Sequence, residues 1–146
     1  MQRGGEKLKF KVCAGGYAPQ RAHFSDAGID FRTPVAFTLS PGEAKVVDLL
    51  VAVEIPVGMY GLFESKSGLM TKHHIVVEGG TIDAGFRGSI KVSMANHGTE
   101  PYHFFQGDKV TQMVVMPCDL SSIDVVTSLD EPADGRGTDG YGSTGR

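Results

Sequence analysis

Leu8, Phe10 and Val12 alternate with Lys7, Lys9 and Lys11, the period-two pattern of a half-buried strand with a solvated basic face. Similar short apolar runs recur along the chain. Thr38-Leu39 runs into Ser40-Pro41-Gly42-Glu43, a strand end followed by a turn with proline at its second position. Ala44 to Val53 is mostly Val, Leu and Ala and predicts one buried strand, closed by Pro56, which cannot donate to a ladder. Met59–Glu64, His73 to Val77, the alternation through Ile90, Val92 and Met94, Tyr102–Phe105, and Lys109–Met116 before Pro117 predict further strands. A last short strand is expected within Ile123 to Val126. Only Ser67–Lys72 reads as a helix, of two turns at most. Short strands with turn residues between them predict an all-β barrel or sandwich.

A chain of 146 residues suits one such domain. Its net charge is -3 and its cations are scattered, which argues against a phosphate-neutralising nucleic-acid face and leaves room for a small anionic ligand held by a few placed groups. Cys13 and Cys118 stand in apolar contexts with no CxxC, as reduced thiols of an intracellular protein would. The opening Met-Gln-Arg-Gly-Gly-Glu lacks a signal-peptide hydrophobic region, and no apolar run is long enough to span a bilayer. A cytoplasmic or nuclear protein without a membrane partner is expected. His73 and His74 point to opposite faces of a strand, and His23, His97 and His103 have no carboxylate or histidine partner at a useful spacing, so zinc is not expected.

Chemistry concentrates in Gly79 to Gly88, where four glycines surround Asp83, Phe86 and Arg87. Without Cβ atoms such a hairpin or strand corner lets a flat ligand touch main-chain N–H and C=O groups, with Asp83 at the mouth of the slot. The same composition also makes an ordinary turn. Ser65-Lys66-Ser67-Gly68 at the helix start offers N–H groups, a cation and hydroxyls, the ingredients of an anion site or of a simple helix cap. From Pro132 to Arg146 the chain is Gly-rich, so residues 132–146 read as a flexible arm beyond a domain of residues 1–131. Tyr141, Arg136 and two hydroxyls set among those glycines could fold over a phosphate chain and a flat base.

Five stretches in order resemble the motif set of the trimeric deoxyuridine triphosphatases (dUTPases): Ala27–Phe31, Ser65–Leu69, Gly80–Gly88, Gly107–Gln112 and Arg136–Gly145. They span nearly the whole chain. The resemblance implies a distorted jelly roll, a β-barrel-like subunit of β-clip type with one short helix, assembled as a homotrimer. It implies hydrolysis of dUTP to dUMP and pyrophosphate. Three shared sites would each take motifs one, two and four from one subunit, motif three from the next and the tail from the third. By the same resemblance Asp83 is the base that activates water for attack on the α-phosphorus. Gly79, Gly80, Thr81 and Ile82 would bind substrate, with main-chain atoms of Gly79–Thr81 reading the uracil edge. Phe86 would lie under the deoxyribose, Lys66, Ser67, Gly68 and Gln112 would hold phosphates, and Asp30 would meet Mg²⁺ through water. Arg136, Tyr141, Gly142, Ser143 and Thr144 would close the site.

The sequence departs from that pattern at several positions. Ser65-Lys66 stands where the family has Pro-Arg, Phe86 where it has Tyr, Ala84-Gly85 where it has a polar pair, and Tyr141 where it has Phe. Lysine keeps the charge at the phosphates and loses the bidentate fork. This motivates an alternative, a catalytically weakened nucleotide-binding or regulatory member of the same fold. The related dCTP deaminases need a glutamate on the strand after the hairpin, and Ser93 stands there. A purely structural jelly roll would be indifferent to losing the tail.

Overall fold

The computed structural model describes residues 7–140 and 145. Eleven strands and one helix follow one another as β1 (Lys9–Val12), β2 (Ile29–Arg32), β3 (Phe37–Leu39), β4 (Ala44–Asp48), β5 (Val51–Glu54), β6 (Met59–Ser65), α1 (Ser67–His73), β7 (Ile75–Glu78), β8 (Thr81–Ile82), β9 (Lys91–Asn96), β10 (Tyr102–Phe104) and β11 (Lys109–Pro117). They form a four-stranded sheet β2-β11-β6-β8, a three-stranded sheet β4-β9-β7, and the pairs β1-β5 and β3-β10, every pairing antiparallel. This is the all-β jelly roll with one short helix that the sequence led us to expect.

Alternation decides which face each strand buries. Ile90, Val92 and Met94 are all buried while Lys91 between them is exposed, as the period-two reading requires. The interior is aromatic at its centre, with Phe31 edge-on to both Phe63 and Phe10, and Phe37 stacked on Phe104 at 4.7 Å between ring centroids. Close packing also uses a missing side chain. A Cβ on Gly61 in β6 would drive into the Met113 thioether, so glycine here leaves room for that buried side chain.

Three expectations are corrected. Ala44 to Val53 is two strands, because Leu50 takes a left-handed conformation at φ 54° and the Asp48 carboxylate caps its N–H at 2.9 Å, turning the chain between sheets. His73 closes the helix and His74, at φ 56°, ends it, so the following strand begins at Ile75. The expected strand within Ile123 to Val126 does not form. Ile123 and Val125 are each 93% exposed and no edge of the chain's own sheets takes them up. From Asp119 to Gly140 every residue is exposed and unpaired with any strand.

Candidate active site

Asp30 sits in β2 between Ile29 and Phe31, and all three are buried. A carboxylate in that position needs counter-charges. It has two: Lys66 Nζ at 2.5 Å from Oδ1 and Lys109 Nζ at 2.8 Å from Oδ2. Burial alone would push the Asp30 pKa up, but the ammonium groups of Lys109 and Lys66 more than offset it and hold the carboxyl below its ordinary value. Beside this triad, Gln112 lies opposite Asp30 in the β11-β2 ladder and donates its amide to the Ser65 carbonyl at 3.2 Å. A Cβ on Gly28 would collide with the Gln112 amide, which explains a glycine just before β2. Ser67 and Gly68 follow Lys66 at the start of α1, with open space beside Gly68. The Ser65 side chain is engaged elsewhere, its Oγ accepting the Val77 N–H at 2.9 Å. Three of the sequence motifs thus meet at one end of one sheet.

The glycine-rich stretch is built differently. β7 pairs with β9 as far as Glu78 opposite Ser93, and there the chain leaves for the other sheet. Gly79 at φ 75° and Gly80 at φ 132° make that crossing. The Gly80 carbonyl accepts the Phe63 N–H at 3.0 Å, a close approach that a Cβ on Gly80 would block. β8 then pairs with Leu62 and Gly61 of β6, moving away from Ser65 with each residue. Asp83 follows in a turn closed by the Phe86 N–H donating to the Asp83 carbonyl at 3.1 Å. Arg87 stiffens this turn by donating Nη1 to the carbonyls of Ala84 and Phe86 at 2.6 and 3.0 Å. The Phe86 ring, 42% exposed, leans over Gly88, where a Cβ would displace it.

A cavity of about 530 Å³ opens at this corner, lined by Thr81, Ile82, Asp83, Phe86 and Gly88 together with Asp48, Ser89 and Lys91. Its far wall is tied in place. Ser89 Oγ donates to Asp48 Oδ1 at 2.5 Å, and that hydrogen bond, ahead of the Leu50 N–H, holds the Asp48 carboxyl below its ordinary value. Lys66, Ser67, Gly68 and Gln112 do not line this cavity. One copy of the chain therefore carries two separate polar features: a cationic cluster, and a cavity lined by Asp83 and Gly88 but not by Gly79 or Gly80.

The described part of the tail joins neither. Arg136 makes only local bonds, its N–H to Asp134 Oδ1 and its Nε to the Asp139 carbonyl, each at 3.1 Å. Tyr141, Gly142, Ser143 and Thr144 lie outside the described residues. Among the described residues no three His, Cys, Asp or Glu side chains gather as metal ligands. Cys13 and Cys118 are unpaired thiols. Two histidines do have carboxylate partners, contrary to the sequence reading: His23 with Asp26 and His97 with Glu78, both at 3.1 Å. The second pair joins the last residue of β7 to the residue that follows β9, 19 positions further on.

Sequence reasoning gave no role to Lys109 or Arg87, though both fall in its motifs, and did not single out Asp48 or Ser89. A signal existed for the first, since an Asp flanked by Ile29 and Phe31 had to find cations and the five motifs hold few. Nothing local announces the Asp48–Ser89 bond, which joins residues 41 positions apart.

The fold and its polar sites define the class only as far as an all-β jelly roll, with a cationic sheet end apart from a cavity that Asp83 lines. Comparison with known proteins narrows that class. The family model for dUTPase matches residues 16–145. The chain is 41% identical over 122 residues to a deoxyuridine 5'-triphosphate nucleotidohydrolase of Anaeromyxobacter, covering 82% of each. Among solved structures it resembles the dUTPase of Staphylococcus bacteriophage 80alpha with dUPNHPP, at a TM-score of 0.89 and 28% identity over 97% of this chain and 100% of that one. It also resembles a mutant dUTPase from phage phi11 of S. aureus described with a structural Mg(II) ion, at a TM-score of 0.77 and 29% identity over 84% of this chain and 98% of that one. The chain belongs to the dUTPase family and is a dUTP diphosphatase.

Proposed function

We propose that the chain hydrolyses dUTP to dUMP and pyrophosphate as a homotrimer, with each site pooled from neighbouring copies. The observation that carries this reading is the separation of these two polar features on one chain. Asp83 rims a cavity fit for a nucleoside, while the cations that a triphosphate needs stand at the other end of β6. A second copy that brings its Lys66, Ser67, Gly68 and Gln112 to the first copy's Asp83 completes the constellation. The exposed apolar stretch through Leu120, Ile123, Val125, Val126 and Leu129 supports assembly, since monomers rarely leave such a run uncovered. The arm of residues 132–146 then reaches a third site, Tyr141 over the base and Arg136, Gly142, Ser143 and Thr144 at the phosphates.

Within that site Asp83 accepts a proton from water as the water attacks the α-phosphorus. Main-chain groups of Gly79, Gly80 and Thr81, with Ile82 beside them, read the uracil edge, and they reject cytosine because its donor and acceptor are exchanged. Phe86 fills the space a ribose 2'-hydroxyl would need. The donor set fits magnesium carried by the triphosphate: each Asp30 oxygen holds one ammonium and keeps a lone pair for a metal-bound water, and no direct ligand cluster competes among the described residues. When bound, Mg²⁺ supplies charge neutralisation to the polyphosphate. Two unpaired thiols fit a working place inside the cell, cytoplasmic or nuclear, and no helix among the described residues is long and apolar enough to cross a membrane.

The test is pyrophosphate release from dUTP against dCTP, dTTP and UTP, with and without Mg²⁺, alongside solution mass. A trimer selective for dUTP is expected. A monomer that turns over dUTP would break the shared-site reading, and binding of dUTP without pyrophosphate release would favour the weakened binding module that Lys66 motivates.

A further inference from the structure

Lys109 is described so far only as a cation paired with Asp30, with no ligand contact of its own, yet the backbone goes out of its way to place it. In the β11-β2 ladder Lys109 faces Arg32, Thr111 faces Phe31 and Gln112 faces Asp30, so one extra residue is inserted between Lys109 and Thr111. In a regular strand positions 109 and 112 would point to opposite faces. The bulge cancels that half-turn and puts Lys109 and Gln112 on the face of Asp30. Arg32, the register partner of Lys109, is tied elsewhere by donating Nη1 to the Gly107 carbonyl at 2.6 Å. The chain thus delivers a second ammonium to a carboxylate that Lys66 already neutralises.

One carboxylate against two ammonium groups leaves the triad one positive charge in surplus. Each ammonium spends one of its three donors on Asp30, and the Lys109 and Lys66 side chains stay 38% and 26% exposed, so both can still meet a ligand. Asp30 itself is buried and acceptor-only, which lets it aim two flexible side chains that would otherwise lose considerable entropy on binding. Gln112 adds an amide on the same face.

We propose that Lys109 is a second polyphosphate-binding cation, presented beside Lys66 and Gln112 by the β11 bulge, with Asp30 as the residue that positions both ammonium groups. This rests on the reading of the cluster as the phosphate side of the active site. It adds a ligand group, and it assigns the bulge a purpose.

The probe is inorganic tripolyphosphate, titrated calorimetrically into the full-length protein at several salt concentrations, with deoxyuridine as the uncharged control. Lys109→Met is expected to weaken tripolyphosphate about tenfold or more, the size of one charged hydrogen bond, and to flatten the salt dependence, while deoxyuridine binding stays as in the wild type. Lys109→Arg should restore most of the loss. If methionine unfolds the protein, Lys109→Gln keeps a hydrogen bond to Asp30 without the charge and carries the same test. Tripolyphosphate binding equal to wild type in a folded variant overturns the proposal, as does an equal loss of deoxyuridine. A wild type that binds tripolyphosphate through Lys109 but leaves dUTP intact would sink the hydrolase reading and leave this one standing.

Discussion

The cationic cluster and the glycine corner are both polar sites on the same four-stranded sheet, yet they are held by opposite means. In the cluster the side chains satisfy one another: Asp30 is 6% exposed, both its oxygens are paired, and Gln112 is fixed on the Ser65 carbonyl. At the corner the backbone is what is fixed, by Arg87 on two carbonyls and by Gly80 against Phe63, while the Asp83 side chain makes no hydrogen bond or ion pair among the described residues. A carboxylate locked between two cations is a poor proton acceptor, because protonation must first undo those pairs. One held only through its main chain can take a proton from water. On the proposed reading, the contrast separates the two acids of the motif set by role: Asp30 organises charge, and Asp83 is the one placed to react.

The strongest way to break that division is Asp83→Asn. Turnover of dUTP should fall by roughly 10²-fold or more, the range for a lost general base. Thermal midpoint and solution mass should not move. Undiminished turnover in a folded trimer would remove Asp83 from the chemistry and with it the contrast between the two sites.

Asp30→Asn should do the reverse, hurting the fold more than the reaction's chemistry. It leaves two ammonium groups facing a neutral amide in a largely buried place, and breaking such a pair costs on the order of 3 kcal/mol. A drop of several degrees in the thermal midpoint is expected. A variant that melts with the wild type would mean that solvent, and not the two lysines, satisfies this carboxylate.

The same pair sets a pH signature. The Asp30 carboxyl is depressed below its ordinary value of 3.8, so in the folded state it stays ionised where the unfolded chain has begun to protonate. Its contribution is whole above that value and is lost as the pH falls through the lower, folded one. Denaturant midpoints measured downward from neutral pH should therefore begin to fall near the ordinary carboxyl value of 3.8, and more gently in Asp30→Asn than in the wild type. Parallel slopes would show that the acid sensitivity belongs to other depressed carboxylates such as Asp48 and Glu54.

Much of the fold was legible because period-two alternation is a local signal: Leu8 to Val12, Ile90 to Met94 and Lys109 to Met116 all read correctly as strands. What failed was whatever depends on a partner. Ile123 to Val126 has the right pattern and nothing to pair with, and Ala44 to Val53 is cut at Leu50, a residue type that does not advertise a left-handed turn. The sites followed the same rule. The order of the motifs and the glycines at 79 and 80 could be read off the chain, whereas the β11 bulge that carries Lys109 to Asp30 is a matter of register, which alternation alone does not number. That Asp83 and Lys66 would stand apart in one copy was implied only through the resemblance, since sequence distance says little about which end of β6 each would occupy.

The smallest effect probes the contrast most finely. If the corner is a backbone device, weakening what anchors it should cost geometry and leave the acid intact. Ser89→Ala removes the hydroxyl that Asp48 Oδ1 accepts, at the exit of the corner and on the wall of its cavity. One such hydrogen bond is worth about 1 kcal/mol, so a loss of about fivefold in kcat/KM is expected. The pH dependence of kcat, which reports the base in the bound complex, should keep its acid limb unchanged. Asp48 would then keep only the Leu50 N–H, and Ser89→Thr, which returns a hydroxyl, should recover most of the loss. A shift of the acid limb in Ser89→Ala would mean that Asp48 and Asp83 are coupled across the cavity, and that the corner tunes its carboxylate through side chains after all.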